Sequence, residues 1–220
     1  MTKISVYFVP GLAAGKEIFR NINLPEDRYE VTILEWLIPN KNETIKAYAK
    51  RMAARVTHEN PVLVGVSFGG VMVQEMEAFL NPGKVIIISS VKCNKELPSR
   101  LIFAKKTKAY KLVPTSLVST VDDFTKLAIG PRSKKRLRLY NEYLSVRDKE
   151  YLDWAIEKMV NWDREDPKAH IIQIHGDQDP VFPIKNIPAP ICIEGGTHAM
   201  IINKGSKISK LLQNILENNS

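Results

Sequence analysis

Two hydrophobic periodicities alternate along the first part of the chain. Ile4–Val9 (ISVYFV), Tyr29–Trp36 (YEVTILEW), Pro61–Val66 (PVLVGV) and Lys84–Ser89 (KVIIIS) are short runs rich in Val and Ile. Runs of that length and composition predict strands of a parallel sheet covered on both faces. Between them the spacing changes. Ile45, Tyr48, Ala49, Met52, Ala53 and Val56 recur at intervals of three and four, with Asn42 as the expected N-cap. Val71, Met72, Met76, Phe79 and Leu80 follow with helical spacing until Asn81-Pro82-Gly83 stops them.

The alternation lapses between Val91 and Glu165, where the pattern predicts only short helices broken at Pro98, Pro114 and Gly130-Pro131. The clearest of these starts near Asp148, an expected N-cap, and carries Leu152, Ala155, Ile156, Met159 and Val160. Strands resume at Ala169–His175 (AHIIQIH) and Ala189–Glu194 (APICIE), and Ile208, Leu211, Leu212, Ile215 and Leu216 stripe a last helix. The expected fold is α/β, a mostly parallel sheet of about six strands flanked by helices. Residues 1–90 and 166–220 would form its core, and 91–165 an inserted α-helical cap.

Composition narrows this reading only a little. A chain of 220 residues with 44% hydrophobic residues is long enough for one full core. No apolar run reaches the ~18 residues of a membrane span, and the N-terminal MTKISVYFVPG enters a strand pattern without a signal-peptide pattern. Cys93 and Cys192 stand in unrelated contexts and are expected as reduced thiols, so the cytoplasm is the expected location. No His, Cys, Asp and Glu grouping has metal-ligand spacing, and neither a metal nor a cofactor is expected.

The net charge of +8 is unevenly placed, with 17 Lys and Arg against 10 Asp and Glu between Val91 and Glu165, a net of +7. Lys134-Lys135-Arg136-Leu137-Arg138 lies there, without interleaved aromatic residues or a nucleic-acid motif. A solvated helix face is favoured over nucleic-acid binding, and an anionic substrate or carrier at the basic cap stays open.

The chemistry gathers at strand ends. Gly65-Val66-Ser67-Phe68-Gly69 joins a predicted strand to a predicted helix as G-x-S-x-G. A turn that sharp forces the serine into a strained conformation and leaves no room for side chains two residues to either side. Ser67 would then stand at a helix N-terminus, where the Phe68 amide could stabilise an oxyanion. The Gly-rich turn Pro10–Gly15 after the first strand lacks the spacing of a dinucleotide or P-loop motif, and a backbone donor beside Ser67 is its better use. Past two later strands lie His175-Gly176-Asp177-Gln178-Asp179-Pro180 and Gly195-Gly196-Thr197-His198. An imidazole and a carboxylate are what a serine hydroxyl needs to become a nucleophile. His175 reads as a structural hydrogen-bonder at a buried strand end, and His58 and His170 as solvated element ends.

GVSFGG, HGDQDPVFP and GGTHAM together resemble the α/β-hydrolase superfamily, in its small capped members, over Ile4–Ser90 and Ala169–Asn218. The resemblance implies Ser67 as nucleophile, His198 as base, Asp179 rather than Asp177 as the orienting acid, and an oxyanion hole from the amides of Leu12 and Phe68. One departure is Pro10-Gly11, where family loops usually begin His-Gly. The implied activity is hydrolysis of a small-molecule acyl ester or thioester through an acyl-enzyme. The alternatives are acyl transfer or other chemistry on the same triad, and a non-catalytic binding protein. Leu101, Phe103, Tyr110, Leu137, Tyr140, Tyr143 and Leu144 are expected to roof the acyl pocket.

Overall fold

A computed structural model of the chain describes residues 3–112 and 143–218. In chain order its main elements are β1 (Ile4–Val9), β2 (Tyr29–Ile33), α1 (Ile45–Ala53), β3 (Val62–Val66), α2 (Phe68–Met76), β4 (Lys84–Ile88), α3 (Ser99–Thr107), α4 (Lys149–Asn161), β5 (Ile172–Gly176), β6 (Ile191–Ile193), α5 (Met200–Asn203) and α6 (Gly205–Glu217). The six strands form one sheet in the order β2-β1-β3-β4-β5-β6. All five pairings are parallel.

The two-residue period of a strand sorts its side chains between two cores. Tyr7, Val9, Leu63, Val85 and Ile87 face the layer of α1, α2 and α4, where they meet Tyr48, Met52, Met72, Met76, Tyr151 and Trp154. Val6, Phe8, Val64, Ile86, Ile88 and Ile174 face the other way, onto Ile18, Phe19, Met200, Ile208, Leu212 and Leu216. Continuous apolar strands follow from that double cover.

Several boundaries differ from expectation for local reasons. Asn42 does not cap α1. It sits at φ 57°, whereas an N-cap needs extended backbone, and Thr44 takes the role by accepting from the Ala47 amide at 3.1 Å. The strand expected to begin at Ala169 begins at Ile172, because Ile171 N–H closes a turn onto the Lys168 carbonyl. The helix expected at Asp148 is capped as the sequence implies, with its carboxylate accepting from Tyr151 N–H at 2.8 Å.

Of the segment 91–165, only the two ends lie among the described residues; Leu137, Tyr140 and the Lys134–Arg138 run lie outside them. The described ends do different things. α4 buries Tyr151, Leu152, Trp154 and Ala155 in the same core as α1 and α2, whereas α3 has no buried residue. Tyr143, expected in the roof, is instead buried against the opposite core beside Arg20, which lies over its ring.

Candidate active site

The turn between β3 and α2 carries the strain the sequence implies. Ser67 has φ 54° and ψ −118°, a conformation costing a non-glycine residue about 1–3 kcal/mol. A side chain at Gly65 would strike the backbone of Gly69 and Gly70, and one at Gly69 the carbonyls of Val9 and Pro10. The turn is pinned on both sides: Ser67 N–H donates to the Ile88 carbonyl at 3.0 Å, and the Ser90 hydroxyl donates to the Ser67 carbonyl at 2.7 Å.

Two loops converge on the exposed side of this turn. After β5, Asp179 is buried and its Oδ1 accepts from the amides of Val181 and Phe182 at 2.7 and 2.9 Å. After β6, His198 is placed by a loop that crosses the end of β5 so closely that a side chain at Gly176 would strike the Gly196 backbone. Gln178 N–H donates to the Gly196 carbonyl at 2.9 Å and ties the two loops together. The result is a continuous chain of hydrogen bonds. His198 Nδ1 lies 2.9 Å from Asp179 Oδ2, and His198 Nε2 lies 2.9 Å from Ser67 Oγ. The carboxylate can only accept, so Nδ1 carries the proton and Nε2 is left to accept from the serine hydroxyl.

Burial by itself would raise the Asp179 carboxyl. The charge available on His198 and the hydrogen bonds from His198 and Phe182 outweigh it and hold the group below its ordinary range. Asp177, only two residues away, is exposed and takes no part in this chain of bonds. Phe68 directly follows Ser67, and Leu12 directly follows Gly11, whose position borders the serine. Phe68 opens α2, where N–H groups have no intrahelical acceptor. Leu12 lies in the turn closed by Ala14 N–H on the Gly11 carbonyl. A Cβ at Gly11 would lie 3.5 Å from Ser67 Cβ, so this loop borders the serine directly.

Three further residues support this arrangement, and two of them, Arg100 and Trp36, were not legible in advance. His175 is fully buried, donates Nε2–H to the Phe182 carbonyl at 2.8 Å and lies 3.5 Å from Asp179 Oδ2; burial lowers its basicity, so a neutral ring braces the acid loop. Arg100, on α3, donates to the carbonyls of Pro180 and Val181 at 2.8 and 2.7 Å. Trp36 donates from Nε1 to the Gly11 carbonyl at 3.0 Å. His175 could be read as structural from its strand, but contacts spanning 80 and 25 residues leave no trace in local pattern.

An open cleft of about 1000 Å³ between Pro39–Asn42 and α4 includes none of Ser67, Asp179 and His198. Among the described residues no cluster of His, Cys, Asp and Glu could hold a metal, and no helix is long and apolar enough to cross a membrane.

No family model and no curated protein matches the chain. Its shape does find matches among solved structures. An α/β-hydrolase-fold protein from Burkholderia ambifaria matches with a TM-score of 0.67 at 12% identity, over 97% of this chain and 91% of its own. A carboxylesterase structure from Nitrososphaera gargenis gives 0.69 at 14%, over 97% and 90%. The epoxide hydrolase of Bacillus megaterium gives 0.63 at 14%, over 99% and 94%. At such identities the likeness is one of fold, and the chain has the α/β-hydrolase fold.

Proposed function

We propose that this α/β-hydrolase-fold protein is a serine hydrolase that cleaves a carboxylic ester or thioester through an acyl-enzyme. The observation that carries the reading is the unbroken run from Ser67 Oγ to His198 to the buried carboxylate of Asp179. Ser67 Oγ attacks the acyl carbon while its proton passes to His198 Nε2, and Asp179 stabilises the imidazolium that forms. The carbonyl oxygen becomes an oxyanion and takes hydrogen bonds from the Leu12 and Phe68 amides. His198 then protonates the leaving alcohol or thiol. Water attacks the acyl-enzyme, gives its proton to the same nitrogen, and the carboxylic acid leaves with Ser67 restored.

The substrate side of the reading is coarser. Esterase-like fold neighbours favour small esters. The basic charge between Val91 and Glu165 makes an anionic substrate or carrier the alternative to a neutral ester. Among the described residues Arg100, Lys105, Lys106, Lys108 and Lys111 lie on α3 and just beyond it, and Arg100 reaches the acid loop itself. The test is a hydrolysis screen across acyl length, neutral against anionic leaving groups, and ester against thioester, with Ser67→Ala as control. Wild-type turnover that falls by on the order of 10³–10⁶ in the control supports the reading. Turnover retained within tenfold, in a folded Ser67→Ala protein, sinks it.

A further inference from the structure

The loop bearing Leu12 has no helix to hold it. Pro10 offers neither an N–H nor a polar side chain, and Ala13 sits at φ 62°, a conformation that needs support from outside. That support comes partly from the chain just beyond β2. The β1–β2 register pairs residue i with i+25 from Ile4↔Tyr29 to Phe8↔Ile33, and continuing it beyond the paired residues sets Gly11 across from Trp36. There the indole N–H donates to the Gly11 carbonyl at 3.0 Å, alongside Ala14 N–H at 3.0 Å. Among the described residues no peptide bond is cis, so the C=O of Gly11 and the N–H of Leu12 point in opposite directions. Holding the carbonyl therefore aims the amide. The same indole packs on Phe68, with ring centroids 5.4 Å apart, and on Tyr151 at 5.3 Å.

We propose that Trp36 is the positioning residue of the oxyanion site, a single side chain that sets the Leu12 amide through its N–H and the Phe68 residue through its ring. This rests on the serine-hydrolase reading above. Residues 143–146 brace the loop's other end, through Gly15 N–H on the Tyr143 carbonyl and Val146 N–H on that of Ala13, but neither bond reaches the Gly11–Leu12 peptide. The task of orienting that peptide falls to Trp36 and to the turn's own Ala14 amide. A misaimed donor weakens binding of the transition state while leaving the ground state nearly untouched.

The test compares wild type with Trp36→Phe, which keeps an aromatic ring and loses the N–H, and with benzothienylalanine at position 36, which keeps the bicyclic shape and loses only the N–H. Each is measured for kcat and KM on one ester, for affinity to a trifluoromethyl ketone of the same acyl chain, and for labelling of Ser67 by a fluorophosphonate. Both replacements should lower kcat by on the order of 10-fold to 100-fold with little change in KM, and ketone affinity should fall in step with kcat/KM. The benzothienyl protein settles the matter if Trp36→Phe fails to fold. Unchanged kcat there, or a loss confined to KM with ketone affinity intact, overturns the role of Trp36 and leaves the serine-hydrolase reading standing. Absence of Ser67 labelling in wild type overturns both.

Discussion

Ser67 and the two residues hydrogen-bonded in chain behind it, His198 and Asp179, are held in contrasting ways. Ser67 sits inside a strand, a turn and a helix that follow one another from Val62 to Met76, and every residue of that stretch except Ser67 is buried. Its strain is imposed by immediate neighbours, with Ile88 and Ser90 pinning the backbone on the adjoining strand end. Asp179 and His198 stand on separate loops after β5 and β6. They meet because Gly176 and Gly196 let two backbones touch, and because His175 and Arg100 hold the carbonyls following Asp179. One half of the site is a property of a local unit and the other is an assembly of distant pieces. Damage to the first should destabilise the protein, whereas damage to the second should disarm it.

The sharpest way to probe the assembled half uses its two neighbouring carboxylates. Asp179→Asn should reduce kcat by on the order of 10²–10⁴, because an amide cannot fix the His198 tautomer or stabilise its charge. Asp177→Asn should stay within about threefold, as expected of an exposed surface site. Reversed severities in variants of matched thermal stability would move the acid to Asp177. The same substitution carries a pH signature. A carboxyl whose value is depressed in the folded state adds stability above its unfolded value of about 4 and loses it as the pH falls through the lower folded value. Urea unfolding of wild type should therefore weaken with acid below about pH 4 more steeply than that of Asp179→Asn. Parallel curves would contradict the depressed carboxyl.

A smaller pair of effects compares the two halves directly. Gly69→Ala drives a methyl into the Val9 and Pro10 carbonyls and should cost ~1–3 kcal/mol of stability, read as a lower urea midpoint. Gly176→Ala presses on Gly196 instead and should displace the His198 loop, so activity per folded molecule should drop by about tenfold or more. If Gly176→Ala loses stability but keeps full specific activity, the two loops are not coupled as described.

The same contrast explains how much was legible in the sequence. The Ser67 turn could be read outright, because strand pattern, glycines and helix pattern are all local. His198 and an acid near Asp179 could be read as candidates from their places after strands, but choosing Asp179 over Asp177 needed the family resemblance. Nothing in a one-dimensional pattern says which of two nearby carboxylates is buried. α4 was legible as an amphipathic helix with an Asp148 cap, yet its sequence could not say that it packs into the main core beside Trp36 and Tyr48. Trp36 itself read as the end of a strand. Its partner, Gly11, is a backbone carbonyl, and a carbonyl leaves no mark in sequence.

The central claim is that His198 and Asp179 make Ser67 a nucleophile, and active-site phosphonylation reads it most directly. A fluorophosphonate probe should add covalently to the native protein once per chain, with peptide mass spectrometry locating the adduct on Ser67. Labelling should be abolished in Ser67→Ala and slowed by on the order of 10²-fold or more in His198→Ala. Native, folded protein that takes up no probe, or labels as fast without His198 as with it, would contradict the account.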